Sequence, residues 1–581
     1  MTPTPDSRAQ CAARHLVVVG HGMVGHRLVE ALRARDADGS WQITVLAEES
    51  DAAYDRVGLT SYTESWDRGL LALPGNDYAG DQRVRLLLNA RVAEIDRATK
   101  SVVTADGERH RYDALVLATG SYAFVPPVPG HDLPACHVYR TLGDLDAIRA
   151  AAESARDGGH NPAGVVIGGG LLGLEAANAL RQFGLETHVI EMMPRLMAQQ
   201  IDEAGGALLA RMIGELGIAV HVGTGTQSIE SASRADGSTS TTVRLTDGQE
   251  IDAGPVIFAA GIRPRDELAA AAGLTLAERG GVLTDLSCRT SDPDIYAIGE
   301  VAAIDGRCYG LVAPGYTSAE VVVDRLLDGA AEFPEADLST KLKLLGVDVA
   351  SFGDAMGTTE NCLEVAINDA VNRTYAKLVL SDDAKTLLGG VLVGDASTYG
   401  VLRPMVGSEL PGDPLALIAP EGAGGGASAL GVGALPDSAQ ICSCNNVTKG
   451  DLKCAIADGC GDVASLKSCT AAGTSCGSCV PLLEAEGVEQ SKALCEHFGQ
   501  SRAELFEIIS ATEIRTFSGL LERFGRGRGC DICKPVVASI LASTGSDHIL
   551  EGEQASWPTF RRTAATRWCR GFPAATSSPS T

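Results

Sequence analysis

Two glycine-rich turns are the parts of the sequence best suited to bind a cofactor. The first reads Gly20-His-Gly22-Met-Val-Gly25 and the second reads Gly168-Gly-Gly170-Leu-Leu-Gly173. Each follows a short apolar run and opens a helical pattern, which is the context of a dinucleotide-binding G-x-G-x-x-G turn. In such a turn the first glycine permits the tight bend, the second lets the backbone approach a pyrophosphate, and the third lets helix pack on strand.

An acid at the end of the following apolar run completes each turn. Glu48 and Glu191 stand where a carboxylate can accept hydrogen bonds from ribose hydroxyls. Glu191 would repel a 2′-phosphate, which favours NAD over NADP, although the nearby Arg195 weakens that preference. An ordinary glycine turn is the alternative for either motif alone. Two such turns in one chain indicate two dinucleotides, a flavin that accepts hydride and a nicotinamide that delivers it.

Cysteine spacing identifies a second kind of site. Ten of the 16 cysteines lie between Cys442 and Cys533. A C-x-C pair and a C-x₂-C pair can together hold [2Fe–2S], with zinc or free thiols as alternatives. The four candidate ligands are Cys442, Cys444, Cys476 and Cys479.

The other cysteines of this region carry weaker signals. Cys454, Cys460 and Cys469 are expected to be buried small hydrophobic residues. Cys530 and Cys533 form a further C-x₂-C, which supplies two of the four ligands that a cluster needs. A structural role and a half-site both remain open for that pair.

Composition limits the class of protein. The 581 residues leave room for about four domains at roughly 150 residues each. A net charge of −26 makes the chain a poor non-specific binder of nucleic acid or anionic membrane. We expect no targeting segment, because the N-terminal residues lack an apolar core with a cleavage site, and no membrane span, because no apolar stretch runs uninterrupted for about 18 residues. We therefore expect a cytoplasmic protein with no membrane or nucleic-acid partner, in which clustered cysteines serve a metal or redox site.

Further motifs follow the glycine turns in a characteristic order. They are Ala118-Thr119-Gly120, Ala259-Ala-Gly261-Ile-Arg-Pro264 and Asp294-Ile-Tyr-Ala-Ile-Gly299-Glu300. Over roughly residues 15–325 this combination resembles the pyridine nucleotide–disulfide oxidoreductases. The resemblance implies that FAD is bound by Gly20, Gly22, Gly25, Glu48, Thr119, Gly120, Gly299 and Glu300. It implies that NAD is bound by Gly168, Gly170, Gly173, Glu191 and Gly261. The family has Asp where this chain has Glu300, whose side chain is one methylene longer.

The disulfide that names the family is missing from its usual place. Its disulfide-containing members carry C-x₄-C or C-x₂-C near the flavin, whereas between Cys11 and Cys308 only Cys136 and Cys288 occur here. Electrons are therefore expected to leave the flavin by another route. The segments around Cys442 and Cys479 resemble the [2Fe–2S] domain of bacterioferritin-associated ferredoxin, which offers that route.

The order of the domains along the chain is typical of a smaller group of proteins than the whole superfamily. Together with the segments 53–59, 341–350 and 530–535, it resembles the large subunits of bacterial NAD(P)H-dependent nitrite reductases over about residues 15–550. The resemblance implies that Arg56 lies on the flavin side. It also implies that NADH electrons pass through FAD and [2Fe–2S] for the reduction of nitrite to ammonia.

The fold expected from the resemblance is α/β, with two Rossmann-like dinucleotide-binding domains, a small α/β domain and a small helical [2Fe–2S] domain. The expected divisions are residues 1–14 disordered, 15–145 with 280–325 for FAD, 146–279 for NAD, 326–410 for the small reductase C-terminal domain, 411–438 as linker, 439–492 for [2Fe–2S], 493–550 as a second cysteine-containing helical region, and 551–581 as tail.

The resemblance also shows a departure. The family's catalytic half carries sirohaem and [4Fe–4S] on C-x₅-C and C-x₃-C ligands. No cysteine pair here has the second spacing, and Cys454 with Cys460 matches the first by chance. The implied acceptor is a sirohaem domain or small subunit that reduces nitrite. The alternatives are a stand-alone NADH-dependent electron-transfer subunit for a separate nitrate or nitrite reductase, and a non-enzymatic binding module. The resemblance also allows a homodimer.

The last 25 residues differ in composition from the rest. Residues 557–581 hold four Arg, no acid and two of the four Trp, and the resemblance stops there. One hypothesis is that a frameshift or a misplaced gene end replaced the catalytic half. A natural disordered tail is the alternative.

Overall fold

A computed structural model describes most of the chain between residues 13 and 543. The described residues are 13–157, 163–233, 239–344, 346–410, 412–419, 435, 437, 439–442, 447–473, 479–485, 497–498, 500, 502–512, 514–526 and 533–543. The chain divides into two compact units. The first comprises Met1–Cys454 with Thr470–Ala485, and the second Ala455–Cys469 with Glu486–Thr581. Most of the predicted linker and all of the predicted tail lie outside the described residues.

The first sheet has five parallel strands, and all but the edge strand Val84–Leu87 are mainly apolar runs buried on both faces. In spatial order the strands are Ile295–Ala297, Ala114–Leu117, Arg14–Val19, Trp41–Leu46 and Val84–Leu87. The helices Met23–Arg35 and Val312–Leu326 pack together, and Arg27 and Arg35 of the former pair with Glu320 of the latter. The elements predicted around the first glycine turn, a strand at Leu16–Val19, a helix from Met23 to about Arg35 and a strand at Ile43–Ala47, are thus present with slightly different strand ends.

The second sheet repeats this plan and extends it. Its strands in order are Ile218–Val222, Thr187–Glu191, Ala163–Ile167, Glu250–Phe258, Thr239–Leu245 and Thr226–Ser233, with Cys136–Val138 added beside Glu250–Phe258. Its helices are Leu142–Asp157, Leu171–Gln182 and Glu203–Glu215. The strands around the glycine turn are parallel, which places their carboxyl ends at one edge of the sheet.

Three smaller sheets and four short helices complete the described part of the chain that contains the two large sheets. The sheets are Val92–Asp96 with Ser101–Thr104 and Arg109–Arg111; Val282–Thr284 with Ala302–Ile304 and Arg307–Cys308; and Ser121–Ala123 with Ile262–Pro264. The short helices are Leu59–Ser65, Arg68–Leu71, Glu267–Ala271 and Gly299–Val301.

The third large sheet consists of five antiparallel strands. In order they are Thr340–Leu344, Val347–Gly353, Leu387–Gly394, Thr374–Leu380 and Leu363–Asp369. Within the described part of this region, helical structure is limited to the short helices Tyr399–Leu402, Arg403–Met405 and Pro414–Ile418. The apolar runs Tyr375–Leu380 and Leu387–Val393 predict two strands, and the structure has these strands as the antiparallel pair Thr374–Leu380 and Leu387–Gly394.

The cysteine-rich region is mainly helical. Strands Gln440–Cys442 and Val447–Thr448 pair, and the helices are Lys449–Ala457, Val463–Thr470, Val480–Ala485, Arg502–Thr512, Phe517–Phe524 and Cys533–Ser543. The last three of these helices share an apolar core with Phe498. Among the described residues, no helix combines the length and apolar character that a membrane crossing requires.

A buried lysine joins the second and third sheets. The Lys377 side chain is 4% exposed and its ammonium lies 3.1 Å from Asp202 and 3.0 Å from Glu364. Asp202 also accepts a hydrogen bond from the Tyr375 hydroxyl at 2.6 Å and caps the helix Glu203–Glu215 through the Gly205 amide. Burial raises the pKa of Asp202, but these hydrogen bonds outweigh burial and lower that pKa overall.

We expect Asp202→Ala to destabilise the protein strongly. It removes a helix cap and leaves a buried ammonium with one fewer counter-charge, a loss of about 3 kcal/mol. Glu215→Gln is a matched control on the same helix, because its partner Arg373 also lies on the third sheet but both side chains are largely exposed. The control should change stability by less than about 0.5 kcal/mol. Thermal unfolding monitored by circular dichroism compares the two variants, and equal midpoints would contradict the assignment.

Candidate functional site

The first glycine turn is shaped by close backbone approach. Gly20 has φ +109°, and a Cβ there would lie 2.2 Å from the Ala118 carbonyl oxygen. A Cβ on Gly25 would lie 2.4 Å from the Gly20 oxygen. Gly22 is different, because a Cβ there would meet no protein atom within 4 Å. Packing therefore requires glycine at positions 20 and 25, whereas Gly22 borders open space at the start of the helix Met23–Arg35.

The second glycine turn repeats this geometry. Gly168 has φ +122°, and its Cβ would lie 2.3 Å from the Ala259 oxygen. The Cβ of Gly173 would lie 1.9 Å from the Gly168 oxygen, and Gly170 again has nothing within 4 Å. Both helix N-termini therefore present amide groups and the positive end of the helix dipole to an open space. This cradle fits the pyrophosphate of a dinucleotide.

Each glycine turn is flanked by another parallel strand, Ala114–Leu117 in the first sheet and Glu250–Phe258 in the second, and a glycine with positive φ follows each of these strands. Gly120 has φ +69° and Gly261 has φ +110°, and neither faces protein atoms. The Thr119 hydroxyl donates to the Arg265 carbonyl at 2.9 Å. Because Ser121–Ala123 pairs with Ile262–Pro264, these two predicted motifs lie close together.

Two acids follow the second strand of the first sheet. Glu48, the predicted ribose ligand, pairs with Arg265 at 2.5 Å and with Arg91 at 3.7 Å. Glu49 pairs with Arg56 and accepts from the Tyr54 hydroxyl at 2.9 Å. The ribose role of Glu48 and the flavin-side role of Arg56 stay predictions.

Glu300 lies in a polar cluster that joins distant parts of the chain. It accepts a hydrogen bond from the Ser121 hydroxyl at 2.7 Å and pairs with Arg140. Arg140 also donates to the Ser121 hydroxyl at 2.7 Å. Gly299, before it, has φ +72° and donates its amide to Ser318. Arg140 could not be predicted as a partner of Glu300, because the two residues are 160 positions apart in the chain.

Glu191, the predicted ribose ligand of the second site, lies against the backbone of the second glycine turn. The Glu191 carboxylate accepts from the Gly169 amide and the Met193 amide, both at 2.7 Å. Arg195 points elsewhere, since it donates to the carbonyls of Ile201 at 2.9 Å and Ala198 at 3.2 Å. The Arg195 guanidinium, whose positive charge was the argument against a preference for NAD, is thus hydrogen-bonded within its own loop.

A partly buried carboxyl lies on the helix that follows the second turn. Burial raises the pKa of Glu175 to about 7, while the adjacent Thr60 hydroxyl acts in the opposite direction. Such a group can change its protonation near neutral pH, which makes it a candidate functional residue. Sequence reasoning missed it because its place in an apolar helix carries no motif of its own.

Half of the predicted cluster ligands can be placed. Cys442 and Cys479 are each 3% exposed. Cys442 ends a strand and pairs with Val447, and the Cys479 carbonyl accepts from the first turn of the helix Val480–Ala485. Cys444 and Cys476 lie outside the described residues. Two buried thiols on well-defined elements fit one half of a [2Fe–2S] or zinc donor set.

The expectation for the intervening cysteines is wrong in part. Cys454 is exposed, and Cys460 forms a disulfide with Cys469. Cys460 follows the helix Lys449–Ala457 and Cys469 lies on the next helix, so the turn between the helices brings the two thiols together. Cys533 is buried in the helical core of the second unit, and Cys530 lies outside the described residues.

Three parts of the chain match known protein families. Residues 14–323 match the pyridine nucleotide-disulphide oxidoreductase family. The chain belongs to this family. Residues 339–409 match the rubredoxin NAD⁺ reductase C-terminal domain, and residues 440–485 match the BFD-like [2Fe–2S] binding domain. These matches confirm the predicted fold class and the predicted cofactors FAD, NAD(H) and [2Fe–2S].

Curated relatives extend over nearly the whole chain. It is 49% identical over 546 residues to the nitrite reductase [NAD(P)H] large subunit of Klebsiella oxytoca, covering 92% of this chain. It is 46% identical over 548 residues to the nitrite reductase (NADH) large subunit of Escherichia coli, covering 93%. The chain spans 56% and 64% of the lengths of these two relatives.

Solved structures match the oxidoreductase part. A ferredoxin reductase for the CYP199A2 system from Rhodopseudomonas palustris aligns with TM-score 0.58 and 27% identity, over 66% of this chain and 92% of that one.

The open glycines allow each nucleotide site to be tested alone. Gly22 and Gly170 have φ −84° and −79°, which alanine also adopts, so neither substitution should disturb folding. We expect Gly22→Ala to lower FAD content, because its methyl group fills the space that the pyrophosphate needs. Gly170→Ala should retain FAD and raise the KM for NADH about tenfold, a loss of about 1.4 kcal/mol. Flavin absorbance and steady-state kinetics measure both, and loss of flavin from Gly170→Ala with an unchanged KM would contradict the assignment.

Proposed function

We propose that this chain takes electrons from NADH through FAD to a [2Fe–2S] cluster for the reduction of nitrite to ammonia. The repeated glycine cradle carries this proposal, because it provides two dinucleotide sites in a chain that also holds a buried cysteine pair. The 46–49% identity to nitrite reductase large subunits supports the choice of nitrite. As part of the proposal, residues 15–145 with 280–325 bind FAD, residues 146–279 bind NADH and residues 439–492 hold the cluster.

The residues of this chain bind and orient rather than react. When bound, FAD accepts a hydride from NADH and can release the electrons one at a time. The helix N-termini beside Gly22 and Gly170 bind the two pyrophosphates. Glu300, with its charge balanced by Arg140, provides a polar contact for the FAD sugar chain. Cys442, Cys444, Cys476 and Cys479 hold the cluster.

NADH rather than NADPH is the proposed donor. Glu191 accepts two backbone amides at the second glycine turn, where a 2′-phosphate would meet its negative charge. Arg195 is bound to two carbonyls of its own loop and is turned away from that position. Both observations support discrimination against NADPH.

Two unreactive thiols of the nucleotide-binding sheets, one partly buried and one buried, support electron exit through the cluster. Burial raises the pKa of Cys136 to about 11 and that of Cys288 to about 12. Because the thiolate is the reactive form of cysteine, neither residue suits disulfide exchange at neutral pH. The two lie on different elements, Cys136 on a strand of the second sheet and Cys288 in the core of the first.

The electron acceptor in this proposal is a nitrite-reducing sirohaem domain or small subunit. Only one of the two expected cysteine spacings for sirohaem and [4Fe–4S] occurs in this sequence, so the residues present do not fit these groups. We place the reaction in the cytoplasm, as expected for clustered cysteines that mainly serve a metal or redox site rather than a disulfide framework. A homodimer is compatible with this arrangement.

Cofactor analysis of the intact chain tests the proposal. We expect flavin, iron and inorganic sulfide in the wild type, together with NADH-driven reduction of a dye. Cys442→Ser should lose iron and sulfide, since the cluster requires its ligands, yet keep flavin and dye reduction. Cys454→Ser is the matched control, because Cys454 is exposed and is not a proposed ligand. Full retention of iron and sulfide by Cys442→Ser would overturn the assignment.

A further inference from the structure

One arginine of the third-sheet region holds the segment that contains the first cysteine ligand. Arg403 follows the helix Tyr399–Leu402, and its side chain is 11% exposed. It donates to the carbonyl oxygens of Gln440 at 2.6 Å and Ile441 at 3.3 Å. These are the two residues immediately before Cys442. A planar guanidinium that contacts both carbonyls restricts the backbone on which that thiol is mounted.

The same short helix contacts the segment of a second ligand. A Cβ on Gly400 would lie 3.2 Å from the Leu482 side chain, so the two helices approach closely at this glycine. Leu482 lies three residues after Cys479, whose carbonyl caps that helix. Residues 399–403 therefore contact both of the described cysteine segments.

The charge of Arg403 is anchored from its other side. Its Nη1 lies 2.7 Å from Asp337. Burial raises the pKa of Asp337, but hydrogen bonds from Ser339 and the charge of Arg403 outweigh burial and lower that pKa overall. Asp337 is thus a carboxylate at neutral pH. It orients the guanidinium so that its second nitrogen faces the strand Gln440–Cys442.

We propose that Arg403 is a positioning residue that seats the two cysteine segments on the third-sheet region and offsets the negative charge of a [2Fe–2S] cluster held there. This inference rests on the proposed cysteine ligands. A four-thiolate [2Fe–2S] group is anionic and gains one more negative charge on reduction, and net charge and hydrogen bonding are among the factors that set its potential. A nearby cation held in place by Asp337 favours the reduced form.

Two substitutions separate position from charge. Arg403→Gln removes the charge and the forked contact, whereas Arg403→Lys keeps the charge but cannot reproduce the fork. Arg373→Gln is the matched control, because Arg373 forms an exposed ion pair in the same region. Three measurements apply to each purified full-length variant. They are the cluster midpoint potential by EPR-monitored titration, the rate of cluster reduction after NADH by stopped flow, and hydrogen exchange of residues 439–442 and 447–449 in cluster-free protein.

For Arg403→Gln we expect about a tenfold loss in the reduction equilibrium, which equals about 59 mV for a one-electron couple. Cluster reduction should slow at least about tenfold, because small misplacements of reacting groups are costly. Flavin reduction by NADH should be unchanged. Exchange in the two segments should accelerate about tenfold as local opening becomes easier. Arg403→Lys should restore most of the potential but not the slow exchange.

Exchange, potential and rate in Arg403→Gln equal to those of Arg373→Gln would overturn the proposal. If Arg403→Gln fails to take up the cluster, hydrogen exchange in the cluster-free protein still shows whether Arg403 holds the two cysteine segments in place. A wild type without iron and sulfide would refute the cluster instead, and exchange would then test the seating of the cysteine segments alone. The two failures are therefore distinguishable.

Discussion

A carbonyl oxygen facing a glycine α-carbon is the contact on which both nucleotide sites depend. At Gly20 the oxygen belongs to Ala118, and at Gly168 it belongs to Ala259. Any side chain at either glycine would collide with the neighbouring strand, and both positions have positive φ. The close crossing aligns strand, turn and helix so that each helix begins at the carboxyl edge of its sheet. The open space at Gly22 and Gly170 follows from this alignment, which is why the same site occurs twice.

Charge pairing between distant segments organises the residues around these cradles. Glu300 pairs with Arg140, and Glu48 pairs with Arg265. Arg403 and Asp337 form the corresponding pair beside the strand of Cys442. In each pair a carboxylate is matched by a guanidinium, which can also make additional hydrogen bonds. The Glu300–Arg140 pair is the most buried of the three, whereas the side chains of Arg265 and Glu48 are 41% and 47% exposed. The pairs join separate parts of the chain and limit relative movement of the cofactor-binding segments.

The local parts of this arrangement could be predicted from the sequence, and the long-range parts could not. The residue pattern predicts a helix from Met23 to about Arg35 and a strand at Ala114–Leu117. The structure has both elements with these bounds, because glycine turns and apolar runs are local signals. Arg140 and Arg403 act on residues far along the chain, and no spacing rule connects them to their partners. The exposed Cys454 and the Cys460–Cys469 disulfide were also missed, because local composition does not tell a buried cysteine from an exposed or a paired one.

Anaerobic mixing with one equivalent of NADH tests the central claim, that the two nucleotide sites deliver electrons to the cysteine cluster. Flavin absorbance and freeze-quench EPR follow the two centres in the same sample. We expect flavin absorbance to bleach first and the EPR signal of a reduced [2Fe–2S] cluster then to appear at the expense of reduced flavin. Flavin that stays reduced beside a cluster that never acquires an electron would contradict it.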